Sequence, residues 1–220
     1  LLASNVAKKM IKAGADAILI FPPFSWSQGI SHEMIYQHHK VICNKIYKPV
    51  FIYQSSIYSG HLSYKKELLK KLLKIKNVIG VKEGSWDFKN YVNNYKFLKK
   101  IKKDFLVMAS GDEHLYPCFK YASDGSQVSL AAITPDKIVE LIRLIENKQY
   151  SEAKKLDKKL LILAKNIYGK YPANFATARI KYCLRVLKKI PSDLMRSSIF
   201  LNTNEKIQLK KSLKALGFKL

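Results

Sequence analysis

The 220-residue sequence is 48% hydrophobic and 11% aromatic, which is typical of a globular chain and excludes a disordered one. No apolar run approaches the roughly 18 residues that a membrane-spanning helix needs. The formal net charge is +24, but only four of the 40 basic residues are arginines, the side chain that nucleic-acid readers favour. The lysines are spread along every helix-like segment, so the sequence predicts solvated outer faces, with neither a membrane nor a nucleic acid as partner.

Hydrophobic periodicity predicts alternating elements along the first two thirds of the chain. The predicted helices, in chain order, cover 6–13, 31–46, 62–75, 90–103, 113–122 and 135–147. The predicted strands cover 17–21, 49–53, 78–82, 105–109 and 127–130. From residue 148 onwards only helices are predicted, over 152–168, 173–187 and 204–216. We therefore expect two domains, an α/β domain over 1–147 and a helical region over 148–220.

Strict alternation of strands and helices predicts a parallel sheet with crossover helices. Two architectures stay open at this point, an open doubly wound sheet and part of a barrel. The phosphate-binding patterns GxGxxG and GxxxxGK[ST] are both absent, which weakens the case for a nucleotide-binding open sheet. The three cysteines have no CxxC spacing and the five histidines form no HExxH pattern. We expect reduced thiols in a cytoplasmic protein, with no metal site and no cofactor.

Lys82 differs from the other lysines because it ends an apolar strand, after Val78 and Gly80, with which strand alternation predicts that it shares a face. A strand buried on both faces would desolvate the ammonium group, lower its pKa and supply the neutral amine that attacks carbonyl groups. The alternative is a strand-end lysine that reaches solvent or pairs with a carboxylate. Tyr53 occupies the matching place on the preceding strand and could transfer protons, although its position alone favours a core tyrosine with a satisfied hydroxyl. Gly60 could allow close backbone approach there.

Several short motifs together carry a resemblance to a known family. They are Gly14-Ala15-Asp16-Ala17, Pro22-Pro23, Tyr53 with Ser59-Gly60, Ile79-Gly80-Val81-Lys82-Glu83 and Ser110-Gly111-Asp112. In order and spacing they resemble the dihydrodipicolinate synthase/N-acetylneuraminate lyase family of class I aldolases. The resemblance extends over nearly the whole chain, and its most specific parts are the Tyr53 and Lys82 strands.

The resemblance implies a (β/α)8 TIM barrel with a helical C-terminal extension, and usually a homotetramer. By this resemblance the protein is a lyase in which Lys82 forms a Schiff base with pyruvate or another 2-oxo acid. Tyr53 is then the proton relay, and Gly111, Ser129 and Gly60 line the substrate pocket. Asp112 and Glu113 are further candidates, or caps of the next helix. The five predicted strands correspond to strands four to eight of the barrel.

The chain also departs from the family pattern. The equivalents of strands one to three, with the Gly-Thr-Thr-Gly-type loop that binds the substrate carboxylate, are missing from the sequence. We therefore expect a truncated chain, a fragment of the barrel that folds poorly or lacks activity by itself. No arginine lies between Tyr53 and Gly60, and Phe24-Ser25-Trp26 stands where the synthases have tyrosines. The leading expectation is a 4-hydroxy-tetrahydrodipicolinate synthase-like enzyme. The alternatives are an N-acetylneuraminate lyase or sugar-acid aldolase, and a catalytically incomplete barrel.

Overall fold

The computed structural model describes residues 2–22, 30–197 and 199–220. These residues form two compact units, which consist of 1–111 with 121–127 and of 112–120 with 128–220. The predicted division into domains after residue 147 stays a prediction. Of the Pro22-Pro23 motif only Pro22 belongs to the described residues, and Phe24-Ser25-Trp26 lies outside them.

The first unit is built on a parallel sheet whose strands follow one another in chain order. The strands are β1 (Ile18–Ile20), β2 (Val50–Gln54), β3 (Val78–Glu83), β4 (Leu106–Ala109) and β5 (Gly125–Ser126). The helix α1 (Leu2–Lys12) precedes β1, and α2 (His32–Cys43), α3 (Lys66–Leu72) and α4 (Phe88–Ile101) follow β1, β2 and β3, with a 3-10 helix at Gly60–Leu62 before α3. The predicted α/β class with a parallel sheet is confirmed.

The two faces of this sheet differ in how deeply their side chains are buried, as β2 shows. Val50, Ile52 and Gln54 are buried, whereas Phe51 and Tyr53 are half-buried. Because successive side chains in a strand point to opposite faces, the first set defines a fully covered face and the second set a more open one. Tyr53 and its neighbours on the open face are therefore within reach of a ligand.

The register between β2 and β3 corrects one expectation about the Lys82 strand. It shifts by one residue, so that Val78 pairs with Val50 while Gly80 pairs with Phe51. Paired residues of parallel strands point to the same side, which places Val78 on the covered face with Val50. Gly80 shares the open face with Lys82 as predicted, but Val78 does not.

Local signals explain where the helices begin and end. The hydroxyl of Ser31 accepts a hydrogen bond from the backbone N–H of Met34 at 3.2 Å, which confirms Ser31 as the N-cap of α2. Gly14 has a φ of 102°, a conformation that stops α1 and favours glycine. The helix predicted over 62–75 is shorter in the structure, because the chain first forms the 3-10 helix and α3 begins only at Lys66.

The second unit is helical apart from its loops. It contains α5 (Leu115–Tyr121, of which Tyr121 belongs to the first unit), α6 (Leu130–Ile133), α7 (Pro135–Glu146), α8 (Tyr150–Ile167), α9 (Ala176–Val186) and α10 (Thr203–Ala215). Its apolar core includes the fully buried Leu130, Leu141, Leu160 and Leu163. The proline at the start of α7 confirms the predicted helix start, since a proline in the first turn has no backbone N–H to leave unpaired.

A buried arginine connects three helices of this unit. Nη1 of Arg179 on α9 donates to the carbonyl oxygens of Ile167 at 2.8 Å and Lys170 at 3.0 Å, just where α8 ends. Its Nε donates to Oε1 of Glu205 on α10 at 3.0 Å. The other oxygen of Glu205 accepts the backbone N–H of Asn202 and completes a capping box. The Arg179 side chain therefore provides hydrogen-bond donors for the carbonyl groups at the end of α8 and orients the Glu205 carboxylate at the start of α10.

The strand predicted over 127–130 is wrong. The fifth strand is Gly125–Ser126, and Ser129 has helical dihedral angles (φ −75°, ψ −26°) immediately before α6. Oδ1 of Asp112 accepts the backbone N–H of Leu130 at 2.6 Å and so supports the start of this helix. Leu130 is fully buried in the helical core, so its apolar character reflects helix packing and not a strand.

Candidate active site

Lys82 and Tyr53 lie side by side at the C-terminal ends of β3 and β2. The strand register pairs Tyr53 with Lys82 directly. Nζ of Lys82 is 5.2 Å from the centroid of the Tyr53 ring and 6.0 Å from that of Phe21. The rings of Phe21 and Tyr53 are themselves 4.7 Å apart, centroid to centroid. The half-buried amine therefore lies against an aromatic wall at the end of the strands where parallel α/β proteins bind ligands.

Two glycines flank Lys82 and make room for the rings of the neighbouring strand. A Cβ atom on Gly80 would lie 2.4 Å from Cε1 of Phe51, and one on Gly84 would lie 2.7 Å from Cε2 of Tyr53. Such distances are too short for real carbon contacts. The aromatic side chains of β2 therefore lean across β3 into the space left by the glycines, and Gly84 fixes where the Tyr53 ring can lie.

We predict that Gly84→Ala lowers any activity of this site by a factor on the order of 100, the cost of misplacing a catalytic group by about 1 Å. The added methyl group would also meet the carbonyl oxygen of Gln54 at 2.5 Å, a backbone atom that cannot rotate away. Gly80→Ala is the matched control, because it overpacks the same strand against Phe51 at a similar cost of about 1–3 kcal/mol. Thermal unfolding and turnover of both variants should show equal destabilisation but a much larger loss of turnover for Gly84→Ala. Equal loss of turnover would contradict the role of Gly84.

The phenol of Tyr53 is held in its neutral form. Burial raises its pKa, and the nearby Glu83 carboxylate raises it further, whereas the nearby hydroxyl of Ser55 acts in the opposite direction. At neutral pH the group is therefore an O–H donor, and it can supply a proton to an oxygen atom that leaves beside Lys82.

Glu83 forms a buried polar network on the opposite face of the same strands. Its Oε1 accepts hydrogen bonds from Nε2 of Gln54 at 3.1 Å and Nδ2 of Asn94 at 2.8 Å. Its Oε2 accepts from the backbone N–H of Ser85 at 3.2 Å and from the Ser85 hydroxyl at 2.9 Å. Burial raises the pKa of Glu83, and these hydrogen bonds only partly offset that effect. The network joins the residues that directly follow Tyr53 and Lys82 in sequence.

The sequence interpretation quoted Glu83 as part of a motif but assigned no role to it, and it missed Gln54 and Asn94. The sequence nevertheless contained a signal that Glu83 needs buried partners. Strand alternation places Glu83 on the same side as Val81, the covered face of the sheet, where an ionisable group needs partners. The partners themselves come from β2 and α4, and no local pattern identifies them.

The other predicted site residues are distributed over both units. Gly60 and Gly111 belong to the first unit and have φ values of 56° and 106°, which favour glycine. Gly60 begins the 3-10 helix after β2, and Gly111 follows β4. Ser129 belongs to the second unit, where it immediately precedes α6. Asp112 supports the start of α6 there, whereas the sequence had made it a candidate cap of the helix that directly follows it.

The described part of the chain contains neither a metal-binding cluster nor a membrane-spanning helix. Within residues 2–22, 30–197 and 199–220 there is no cluster of three or more histidine, cysteine, aspartate or glutamate side chains that could hold a metal ion. Over the same ranges, every helix is too short or too polar to cross a membrane. Cys43, Cys118 and Cys183 are buried and form no disulfide.

Comparison with known proteins agrees with this arrangement. The model of the dihydrodipicolinate synthetase family matches residues 2–216. A 4-hydroxy-tetrahydrodipicolinate synthase of Chlorobium phaeobacteroides is 27% identical over 98% of this chain and 70% of its own length. An uncharacterised DapA-like lyase of Pyrococcus furiosus is 28% identical over 75% of this chain and 53% of its own length.

Solved structures show the same fold. The dihydrodipicolinate synthase of Thermotoga maritima superposes with a TM-score of 0.84 at 20% identity, over 97% of this chain and 70% of that one. YagE from E. coli K12, a member of the dihydrodipicolinic acid synthase family solved in complex with pyruvate, gives a TM-score of 0.83 at 20% identity and the same coverage.

The fold shared with these neighbours is that of a parallel α/β protein, and in this chain a lysine lies at the end of its third strand. The chain belongs to the dihydrodipicolinate synthetase family, and the resemblance stated from its motifs is confirmed.

Proposed function

We propose that the protein is a class I lyase that forms a Schiff base between Lys82 and pyruvate or another 2-oxo acid. The observation that carries the proposal is the direct pairing of Tyr53 with Lys82, which brings the lysine amine to 5.2 Å from the phenol ring. The several relatives named 4-hydroxy-tetrahydrodipicolinate synthase make a synthase-like reaction the leading candidate. Gly60, Gly111 and Ser129 are proposed to bind the substrate, without a cofactor.

The proposed chemistry follows from the two side chains. The neutral amine of Lys82 adds to the C2 carbonyl, and Tyr53 donates the proton with which the carbinolamine loses water. The protonated imine withdraws electrons from the α-carbon, so that an enamine can form and a carbon–carbon bond can form or break. The aromatic wall of Phe21 and Tyr53 limits the access of water to the amine on that side.

The identity of the second substrate is proposed from the loop after β2. Residues 54–58 contain no arginine, and Tyr58 is 89% exposed, so this loop offers no guanidinium for a second carboxylate. This observation supports the alternative, an N-acetylneuraminate lyase or sugar-acid aldolase of the same family, as the second candidate after the synthase-like reaction. A cytoplasmic location and a homotetramer stay predictions.

The proposal predicts a covalent adduct. Incubation with pyruvate and borohydride should add one reduced pyruvate to the protein, and peptide mass spectrometry should place it on Lys82, because borohydride reduces an imine irreversibly. Lys82→Ala should give no adduct. The matched control is Lys102→Ala, whose Nζ also lies 6.0 Å from an aromatic ring centroid but at the end of α4, and which should react like the wild type. An adduct on other lysines alone, or none with any 2-oxo acid, would overturn the proposal.

A second candidate is a barrel that is incomplete and without catalytic activity. The five strands correspond, in this proposal, to strands four to eight of the TIM barrel, and the chain spans about 70% of the relatives' length. Among the described residues β1 pairs only with β2, and an apolar groove of about 590 Å³ lies beside it between α1 and α2. A parallel strand that lacks one neighbour exposes unpaired backbone groups. A folded protein that forms no adduct in the borohydride experiment would favour this candidate.

A further inference from the structure

A methionine lies on the side of Lys82 that faces away from Tyr53. The strand register pairs Lys82 with Met108 on β4 and pairs Met108 in turn with Gly125 on β5. Because paired residues of parallel strands point to the same side of a sheet, Met108 shares the open face with Lys82. Like Lys82, Met108 is half-buried. The amine therefore has the Tyr53 ring on one side and the Met108 side chain on the other.

The thioether of Met108 extends across the neighbouring strand, where it lies over Gly125. A Cβ atom on Gly125 would lie 2.7 Å from Cε and 3.1 Å from Sδ of Met108, so this position of the thioether requires a glycine. The backbone is fixed at this point, since the hydroxyl of Ser123 accepts the N–H of Gly125 at 3.1 Å and donates to its carbonyl oxygen. Gly125 therefore provides the space into which the end of the Met108 side chain turns.

The spacing of the strands limits what fits between the amine and the thioether. Lys82 and Gly125 are two strands apart in the sheet, which is about 9–10 Å at the usual strand spacing. A carbon atom in contact with both sides needs about 7–8 Å, twice the usual distance between carbon atoms in contact. The gap between Lys82 and the Met108 thioether therefore accommodates a methyl group, and a carbon atom that carries two methyl branches exceeds it.

The chemistry of a 2-oxo acid determines which part of it faces Met108. In the Schiff base, the C2 carbon carries the Lys82 nitrogen, a carboxylate and a carbon chain. A thioether has no hydrogen-bond donor, so burying a carboxylate against it would cost free energy. Burying an alkyl group against it is favourable. The carbon chain is therefore the part of the acid that lies against Met108.

We propose that Met108 determines which 2-oxo acid forms the Schiff base, because its thioether accepts the methyl group of pyruvate and excludes chains that branch at C3. This inference rests on the proposed function and narrows the substrate of Lys82 from any 2-oxo acid to pyruvate. It applies to the synthase-like reaction and to the sugar-acid aldolase alike, since the selection takes place at Lys82 and not where the second substrate binds.

The test compares the rates at which borohydride traps pyruvate and 3-methyl-2-oxobutanoate on Lys82 of the full chain. The two acids differ in intrinsic reactivity, so the ratio of their rates is compared between variants. Met108→Ala should lower the preference for pyruvate by about 10-fold or more, the selectivity that a hydrophobic pocket gains from one methylene group. Met108→Leu should keep the wild-type ratio, because it nearly conserves the side-chain volume.

Leu106→Ala is the matched control for Met108→Ala. Leu106 lies on the same strand and the same face and is also half-buried, but it pairs with Gly80 and not with Lys82. Its truncation should therefore leave the ratio of the two rates as in the wild type. An equal change of the ratio in Leu106→Ala and Met108→Ala would indicate a general loosening of the strand and would contradict the role of Met108.

A second variant keeps the thioether and displaces it. In Gly125→Ala the new Cβ moves the end of the Met108 side chain off β5 and towards Lys82, so the preference for pyruvate should rise by about 10-fold. Because this effect acts through Met108, Gly125→Ala should change the ratio no further when it is combined with Met108→Ala.

The outcomes separate this inference from the proposed function. If the wild type traps pyruvate on Lys82 but neither Met108→Ala nor Gly125→Ala changes the ratio, the role of Met108 is wrong and the proposed function stands. An effect of Gly125→Ala that persists without Met108 would also overturn the inference. If the wild type forms no adduct with either acid, the proposed function is wrong, and the role of Met108 is wrong with it.

Discussion

Replacing Arg179 by leucine should lower the free energy of unfolding of the second unit by about 3–5 kcal/mol, the usual cost of removing one partner of a buried ion pair. Arg179 is fully buried, and the side chain of Glu205 is only 12% exposed. Without the guanidinium, the Glu205 carboxylate loses its cation, and the carbonyls of Ile167 and Lys170 lose their donor. The effect is large because a single substitution removes the donor of three acceptors, one of them buried and two partly buried.

Arg185→Leu on the same helix is the matched control for this prediction. Arg185 also pairs with a carboxylate, that of Asp193 at 2.9 Å, but its side chain is 44% exposed. Ion pairs at the surface contribute about 0–1 kcal/mol, so this variant should unfold almost like the wild type. Urea denaturation followed by far-ultraviolet circular dichroism measures both. A shift of the midpoint for Arg179→Leu no larger than for Arg185→Leu would show that the buried pair contributes no net stability.

The sequence predicted the parts of the fold that depend on local pattern. The alternation of apolar strands with amphipathic helices was sufficient for the parallel α/β class, and Ser31 and Gly14 marked helix ends by their own chemistry. The prediction of the fifth strand was wrong because apolar residues such as Val128 and Leu130 are equally compatible with a strand and with the start of a buried helix. What separates the two structures is the carboxylate of Asp112, which comes from far earlier in the chain.

For the candidate site, too, the sequence predicted the features that depend on local pattern but not those that depend on distant residues. Lys82 and Tyr53 each end an apolar run, and the common direction of parallel strands brings such ends together. The one-residue shift in register that moves Val78 to the covered face depends on how two strands pair, which neither strand encodes alone. The partners of Glu83 likewise depend on loop and helix positions that appear only in three dimensions.

Glu83→Leu should be the most damaging substitution in the first unit, with a loss of about 3–5 kcal/mol, because several buried donors lose their acceptor at once. The donors are the amides of Gln54 and Asn94 and both donor groups of Ser85. Since Gln54 follows Tyr53 and Glu83 follows Lys82, the loss should also disturb the pairing of the two site residues. We expect slower adduct formation with pyruvate in the borohydride experiment. Glu33→Gln, which changes an exposed carboxylate paired with Lys71, should alter neither quantity.

The pH dependence of stability tests the charge state of Glu83. Burial raises its pKa above the ordinary value of 4.5, so the folded protein retains the proton to a higher pH than the unfolded chain. Between the pKa of Glu83 in the unfolded chain and its higher pKa in the folded protein, the folded state binds more protons than the unfolded state. The free energy of unfolding therefore falls as pH rises through this window. Glu83→Gln cannot release this proton. The stability margin of the wild type over Glu83→Gln should accordingly be greatest at the acid end of the window and shrink as pH increases.

Urea titrations of both proteins at several pH values from about 4 to 8 measure this margin, and all other titrating groups cancel in the difference. A depressed pKa of Glu83 would give the opposite pH dependence. The four hydrogen bonds that Glu83 accepts all favour the carboxylate, and if together they outweighed desolvation they would depress the pKa. The margin would then grow with pH. A growing margin would therefore show that the network, and not burial, sets the charge beside Lys82.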